Sequence, residues 1–200
     1  MKKIFYLKCD RLEKLPRANK NNWLFELNFI IKKIPKNSKV LQIGCMDGTR
    51  MVAILKRRRD LELVGLDVDD DLVKLARINL RKAGIKAKVI TGDATKRLPT
   101  TGFDYILCLN NTLGYIPQEG KAMRNMKKAG QRVIISVYGE KFTDGLAKKY
   151  FDLMGLKIST IRHGRFITNI GTIKRYSKSR VKSWGGKIIR TPIGYLTIIK

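Results

Sequence analysis

Apolar positions recur along this chain with two alternating periods. Between Asn19 and Ile34, the residues Trp23, Leu24, Leu27, Ile30, Ile31 and Ile34 fall three and four apart. That spacing predicts an amphipathic helix, which Pro35 ends. Val40-Leu41-Gln42-Ile43 reads as a short buried strand running into Gly44. A helix is predicted over 49–59 and a second strand over 61–66, ending at Asp67. Residues 69–83 predict a helix with Leu72, Val73, Leu75, Ala76 and Leu80 inward and Gly84 as its stop. Strands follow over 86–90 and 103–109, then a helix over 119–129 closed by Gly130, then a fifth strand over 132–138. Further on, 156–161 and 166–173 predict the strands of a hairpin-like insertion, and 177–184 a short helix. Two last strands, 187–190 and 195–199, join at Pro192-Ile193-Gly194. Residues 1–17 are basic and weakly patterned, an arm or a first strand.

Strand and helix alternate, which predicts βαβ units and an α/β fold. The architecture expected is a Rossmann-like, doubly wound, mostly parallel sheet with a C-terminal antiparallel β-hairpin. In such sheets ligands bind beyond the carboxyl ends of the strands. The chain reads as one domain over 1–200. An N-terminal arm and helix take 1–35, a binding core 36–140, a substrate-side insertion 141–176, and a closing helix and hairpin 177–200.

Composition adds class and charge. The chain has 200 residues, of which 44% are hydrophobic and 30% charged, enough apolar mass for a sizeable core. No apolar run approaches the roughly 18 residues that cross a bilayer, so no membrane is expected. The basic start at Met1 lacks the apolar stretch of a secretory signal. Cys9, Cys45 and Cys108 are odd in number and far apart, which fits no disulfide framework and no metal site and suggests a reduced, cytoplasmic protein. There are 43 Lys and Arg against 16 Asp and Glu, a net charge of +27. An ion-pair-rich surface would pair Lys with Glu, yet this chain has few glutamates. Such a field attracts polyanions, or it reflects a proteome-wide bias in a salty cell. From Leu153 to Lys200 there are 11 basic residues and no acid, so if the partner is RNA, the C-terminal region is the surface expected to bind it.

Candidate chemistry sits after the strands. Gly44-Cys45-Met46-Asp47-Gly48-Thr49 is a glycine-bearing strand-to-helix turn. It fails the G-x-G-x-x-G dinucleotide fingerprint at Met46 and Thr49, which disfavours a nicotinamide oxidoreductase. Asp67, ending the second strand, suits the two ribose hydroxyls of an adenosyl ligand, and Val68 follows it. Asp93 and Ala94 follow the third strand, where a carboxylate suits an exocyclic amine. His163, alone of its kind, reads as a loop histidine or a general base. Cys45 and Cys108 read as small buried apolar groups, and Arg57-Arg58-Arg59 as cations at a helix end. Trp23, Tyr115 and Tyr176 are candidates for stacking on a substrate.

Together these segments resemble motifs I to IV of class I S-adenosylmethionine-dependent methyltransferases: 40–48, 63–67, 92–94 and 103–108, in order. The segment Leu109-Asn110-Asn111-Thr112-Leu113-Gly114-Tyr115 is similar to that of glycine N-methyltransferase-like enzymes. The resemblance implies S-adenosylmethionine as cofactor, held by Gln42, Gly44, Cys45, Met46, Gly48, Asp67, Val68, Asp93, Ala94 and Asn110, with no metal. It implies Asn111 near the sulfonium and acceptor, with Tyr115 shaping that pocket. The implied activity is methyl transfer to an unidentified acceptor, a small-molecule amine or RNA. The alternative is a non-catalytic RNA-binding protein that keeps the fold. Two departures stand out: the family's first-motif acid is Gln42, and its middle glycine is Met46. A positive φ at Met46 would cost about 1–2 kcal/mol.

Overall fold

The computed structural model describes residues 12–98 and 101–200. Most of the basic arm, with Cys9, lies outside them. A short 3₁₀ turn at Leu12–Lys14 leads past Pro16 into α1, Arg17–Lys33. The core then alternates as the sequence predicts: β1 Lys39–Ile43, α2 Thr49–Leu55, β2 Glu62–Asp67, α3 Asp70–Lys82, β3 Val89–Thr91 and β4 Phe103–Cys108. After β4 come α4 Thr112–Tyr115, α5 Glu119–Ala129 and β5 Gly130–Tyr138. The insertion holds α6 Asp144–Leu153, β6 Ile158–Arg162, β7 Arg165–Thr168 and β8 Gly171–Lys174. The chain closes with α7 Lys178–Lys182, β9 Lys187–Arg190 and β10 Gly194–Ile199.

Seven strands form one sheet in the order β3-β2-β1-β4-β5-β10-β9. Strands β1 to β5 pair in parallel, and β10 runs antiparallel between β5 and β9. This is the expected doubly wound sheet with its closing hairpin. The connection reverses at β1, which pairs with β2 on one side and β4 on the other, so the crevice beyond β1 and β4 is the switch point. Alternation along the strands splits the core in two. Leu41, Ile43, Ile106 and Ile135 pack under α5 and α7. Val40, Leu63, Leu107 and Ile134 pack under α1, α2 and α3.

Four sequence expectations change. Strand β3 pairs Gly65 with Val89, so the segment before Val89 only approaches the sheet edge. Helix α2 stops at Leu55 because Arg58 turns away: its guanidinium donates to the carbonyls of Ile31, Ile34 and Pro35 at 2.8–2.9 Å and pairs with Asp60 at 2.7 Å. The helix end it complements is that of α1, across the fold. Helix α6 carries no sequence prediction; Thr143 caps it by accepting from the Leu146 N–H. The insertion has three strands rather than two, because its second predicted strand folds back where Thr168 bonds Gly171 O and Ile170 N. This unit has its own small core, with Tyr138, Phe142, Phe151 and Phe166 in edge and stacked contacts.

Candidate cofactor and acceptor site

The turn after β1 is made by backbone shape. Gly44 and Gly48 take φ of +67° and +78°. At Gly44 a side chain would also strike Thr112, in the turn after β4, so the two loops meet there. Met46 takes φ of +50°, the strained value the sequence raised. Its amide donates to Asp67 Oδ2 at 2.8 Å, and the Asp69 amide donates to Oδ1 at 3.2 Å. Asp67 is thus fixed from both sides, with a lone pair left on each oxygen. Burial raises its pKa, partly offset by these two amides. Val68, beside it, is 59% exposed, an apolar surface next to the carboxylate.

Across β3, Asp93 Oδ1 accepts from both the amide and the hydroxyl of Thr95 at 2.8 Å. The Thr95 amide is the main reason its pKa falls. No other hydrogen bond to the Asp93 carboxylate forms among the described residues, which leaves Oδ2 for a ligand. Ala94 is buried, and its carbonyl accepts from Asn125. Burial, with Asp67 nearby, pushes the Cys45 thiol up, and burial pushes that of Cys108 up to about 12. Neither is a thiolate at neutral pH, so neither is a nucleophile.

Beyond β4, Asn110 and Asn111 both take left-handed conformations, φ +48° and +63°, which asparagine tolerates. The Asn111 side chain is fully buried and bridges two elements. It accepts from the Tyr138 amide and donates to Lys174 O, each at 3.0 Å. Its amide is therefore committed to holding β5 against β8. Asn110 is half-buried, and its Nδ2 donates to Tyr150 of α6 at 3.4 Å. Tyr115 and Met46 pack against the insertion core. The insertion thus stands at the carboxyl ends of β4 and β5.

Behind these loops lies a cluster the sequence reading passed over. The buried face of α1 is Asn19, Asn22, Glu26, Leu27 and Ile30, whereas Trp23, Leu24 and Ile31 are half-buried. Glu26 is fully buried; its Oε1 accepts from Asn22 at 2.9 Å, from the Asn110 amide at 3.3 Å, and from the Ser136 hydroxyl. Arg50, 7% exposed, stands 2.7 Å from Oε2 and lies over the Trp23 ring at 5.0 Å. Gln42 is buried in β1, and its Oε1 has no partner. The readable signal was a polar stripe at 19, 22 and 26, in line with the apolar 27, 30 and 34.

Residues 40–131 match the family described as Methyltransferase domain. The uncharacterized methyltransferase YdaC of Bacillus subtilis (strain 168) is 32% identical over 79 residues, 39% of this chain and 42% of its own. Ribosomal protein L11 methyltransferase of Chromobacterium violaceum is 28% identical over 126 residues, 62% of this chain and 40% of its own. The matched part spans about two fifths of these relatives' length. The crystal structure of magnesium protoporphyrin IX methyltransferase from Synechocystis PCC 6803, with bound SAH, superposes at TM-score 0.61 and 15% identity. It covers 91% of this chain and 84% of that one, and speaks for the fold.

Residues 40–131 are thus similar to a methyltransferase domain, and the strand order with its reversed strand β10 is the fold of class I S-adenosylmethionine-dependent methyltransferases. Within the domain, the structure brings Gly44, Cys45, Met46, Gly48, Asp67 and Val68 to one rim of the crevice. Asp93 and Ala94 extend that rim along β3, and Gln42, Asn110, Asn111 and Tyr115 lie toward β4 and the insertion. His163 is exposed in the β6–β7 turn, with φ of +46°. Among the described residues no group of three His, Cys, Asp or Glu could hold a metal. No described helix is long and apolar enough to cross a membrane.

Proposed function

We propose that this protein transfers the methyl group of S-adenosylmethionine to an acceptor that enters from the insertion side. The observation that carries the reading is Asp67, buried at the carboxyl end of β2 and held by the amides of Met46 and Asp69 with lone pairs in reserve. A diol offers two donors, and a fixed carboxylate accepts both. The residues fit the cofactor. Asp67 takes the ribose, Val68 offers an apolar flank to the base, and Asp93 Oδ2 accepts from its amine. When bound, S-adenosylmethionine supplies an electrophilic methyl on a sulfonium.

The rest is alignment. Methyl transfer is an in-line displacement, and holding the two centres in line is the main task of the chain. Asn111 does this indirectly, by locking the end of β5 to β8. Asn110, free on one side and tied to Tyr150, orients the cofactor end beyond β4. Tyr115 walls the acceptor side. With both described thiols protonated, the acceptor's own lone pair attacks.

For the acceptor, the surface supports an amine or an RNA. Lys157, Arg162 and Arg165 are exposed on the insertion. Lys174, Arg175 and Arg180, by contrast, pair with Glu119 and Asp144 from outside the acid-free tail. The RNA site is therefore narrower than the tail as a whole. Incubation of the protein with methyl-labelled S-adenosylmethionine and a cell extract, then separation into RNA, protein and small molecules, tests the reading. Label in one fraction, lost in Asp67→Ala, supports it. No transfer to any fraction by a protein that binds the cofactor would support the non-catalytic alternative.

A further inference from the structure

Among the described residues, every crossover between neighbouring parallel strands carries a helix except one. The chain passes from β3 to β4 through residues 92–102, across β2 and β1, and no helix forms in the described part of that segment. Parallel crossovers usually run through a helix, which covers the sheet. Here Ala94 and Leu98 reach the core, and a groove of about 470 Å³ is left between the segment and α5. That volume lies within the range of ligand pockets. Leu98 and Ala129 are its buried lining. Lys96 and Arg97 stand on the segment side and Lys121 and Lys128 on the α5 side, all four exposed.

These cations are not balanced locally. From Gly120 to Arg132 there are five basic residues and no acid. Lys96, Arg97, Lys121, Arg124, Lys127 and Lys128 form no ion pair among the described residues. Glu119, the one acid of α5, is taken by Lys174 and Arg180. Lys121, Arg124 and Lys128 fall three and four apart along α5, where like charges repel. The helix dipole favours Lys127 and Lys128 in the last turn but disfavours Lys121 in the first. After the Thr95 amide and hydroxyl, Lys96 and Lys121 also lower the pKa of Asp93, so the groove opens beside the cofactor rim.

We infer that this groove binds the phosphate backbone of single-stranded RNA, with Lys96 and Arg97 on one side of the strand and Lys121 and Lys128 on the other. Lys121 and Lys128 lie seven residues apart, about 10 Å along the helix, which suits a row of anions better than one phosphate. A groove between one segment and one helix admits a single strand, and a cationic groove tracks its backbone. Asn125, which also lines the groove, donates from Nδ2 to the carbonyls of Ala94 and Lys96 at 3.0 and 2.7 Å. Its Oδ1 is left as an acceptor for a ribose 2′-hydroxyl, the group that separates RNA from DNA. A lipid surface fits less well. Membrane-surface sites present apolar side chains outward, whereas Leu98 and Ala129 are buried. RNA held here needs no cofactor, so the site stands or falls apart from the methyl-transfer reading.

The test titrates the full chain into a fluorescently labelled single-stranded RNA of about 12 nucleotides, within the site size of such grooves, and follows anisotropy across a salt series. One variant combines Lys96→Gln, Arg97→Gln, Lys121→Gln and Lys128→Gln. A control of equal charge combines Lys32→Gln, Lys33→Gln, Lys56→Gln and Lys82→Gln, at the ends of α1, α2 and α3 on the other face of the sheet. Each phosphate contact on a single strand carries about −0.7 of the log–log salt slope, so the groove variant should lose roughly 2.8 of it and bind about tenfold weaker or worse. The control should lose less than half as much. Removing like charges from α5 should hold or raise the melting temperature, which separates lost binding from unfolding. Equal losses in the two variants would make RNA binding a property of the general field and overturn the groove. DNA of the same sequence bound as tightly, or polyglutamate of equal charge competing as well as unlabelled RNA, would overturn RNA as the occupant. No RNA binding by wild type overturns the site too, while S-adenosylhomocysteine binding, titrated separately, still decides the cofactor.

Discussion

The two halves of the crevice are built by different means. The rim along β1, β2 and β3 is a set of short local motifs. Its parts are neighbours in sequence, and their geometry is backbone geometry: positive φ at Gly44, Met46 and Gly48, and amides aimed at Asp67. The half toward β4 and the insertion is assembled from a distance. Glu26 bonds Ser136, 110 residues away, and Asn111 bonds Lys174, 63 residues away. The first half presents backbone and two carboxylates, Asp67 and Asp93. The second holds buried charge, and buried charge makes its stability depend on every partner being present. A pocket can thus combine a robust end with an end that is sensitive to any single substitution.

The largest effect expected from this contrast is at Glu26. Glu26→Ala leaves Arg50 buried without its carboxylate and should destabilise the fold by about 3–5 kcal/mol in urea titration. A loss below about 1 kcal/mol would mean that the pair relaxes into water and that the β4 half is no more delicate than the other. Next comes Asp67→Ala. Loss of two bonds to a charged acceptor should weaken S-adenosylhomocysteine binding by about 2–3 kcal/mol. An unchanged dissociation constant in a folded variant removes Asp67 from the ribose.

A smaller effect tests how the tail is held. Burial raises the pKa of Glu119, but donation from Arg180, Tyr176 and Lys174 outweighs it, and the net shift is below the ordinary 4.5. A depressed carboxyl pKa contributes stability that is present above the unfolded value and lost as pH falls through the folded one. Glu119→Gln should therefore cost about 1–2 kcal/mol at pH 7 and much less at pH 3. A gap that does not shrink in acid would contradict the ionic account. The smallest effect is at Met46→Gly. Relief of the positive φ gains about 1–2 kcal/mol. Glycine's extra backbone freedom offsets about 0.5–1 kcal/mol of that, and the lost packing against the insertion core offsets more. Stability should change by less than about 1 kcal/mol, with cofactor affinity equal or tighter. A clear loss of affinity would make Met46 a contact of the cofactor rather than a tolerated strain.

The same division explains what was legible in the sequence. The alternation of periods made the mostly parallel α/β sheet readable, and the closing hairpin at 187–199 was readable because Pro192 and Gly194 mark its turn. Asp67 and Asp93 were readable because they follow strands directly. Helix α6 was missed because its buried residues are only Ala147, Tyr150 and Phe151, a stripe too short to stand out among lysines. The Glu26 cluster was missed for a different reason. Polar residues on an inward face look like errors in a hydrophobic pattern, and their partners at Arg50, Asn110 and Ser136 come from three other elements. The charge of the tail misled in the opposite direction. Acid-free in sequence, its Lys174, Arg175 and Arg180 are met in space by Glu119 and Asp144, and Glu140 accepts from the Lys178 backbone amide.

One titration bears most directly on the central claim, that the crevice between β1 and β4 is an S-adenosylmethionine site. Wild-type protein is titrated with S-adenosylhomocysteine and, separately, with NAD, in a calorimeter at fixed salt. The account predicts saturable binding of S-adenosylhomocysteine at one site per chain and no binding of NAD, whose pyrophosphate finds no G-x-G-x-x-G turn at Gly44. Binding of NAD in preference to S-adenosylhomocysteine, or binding of neither by folded protein, would contradict it.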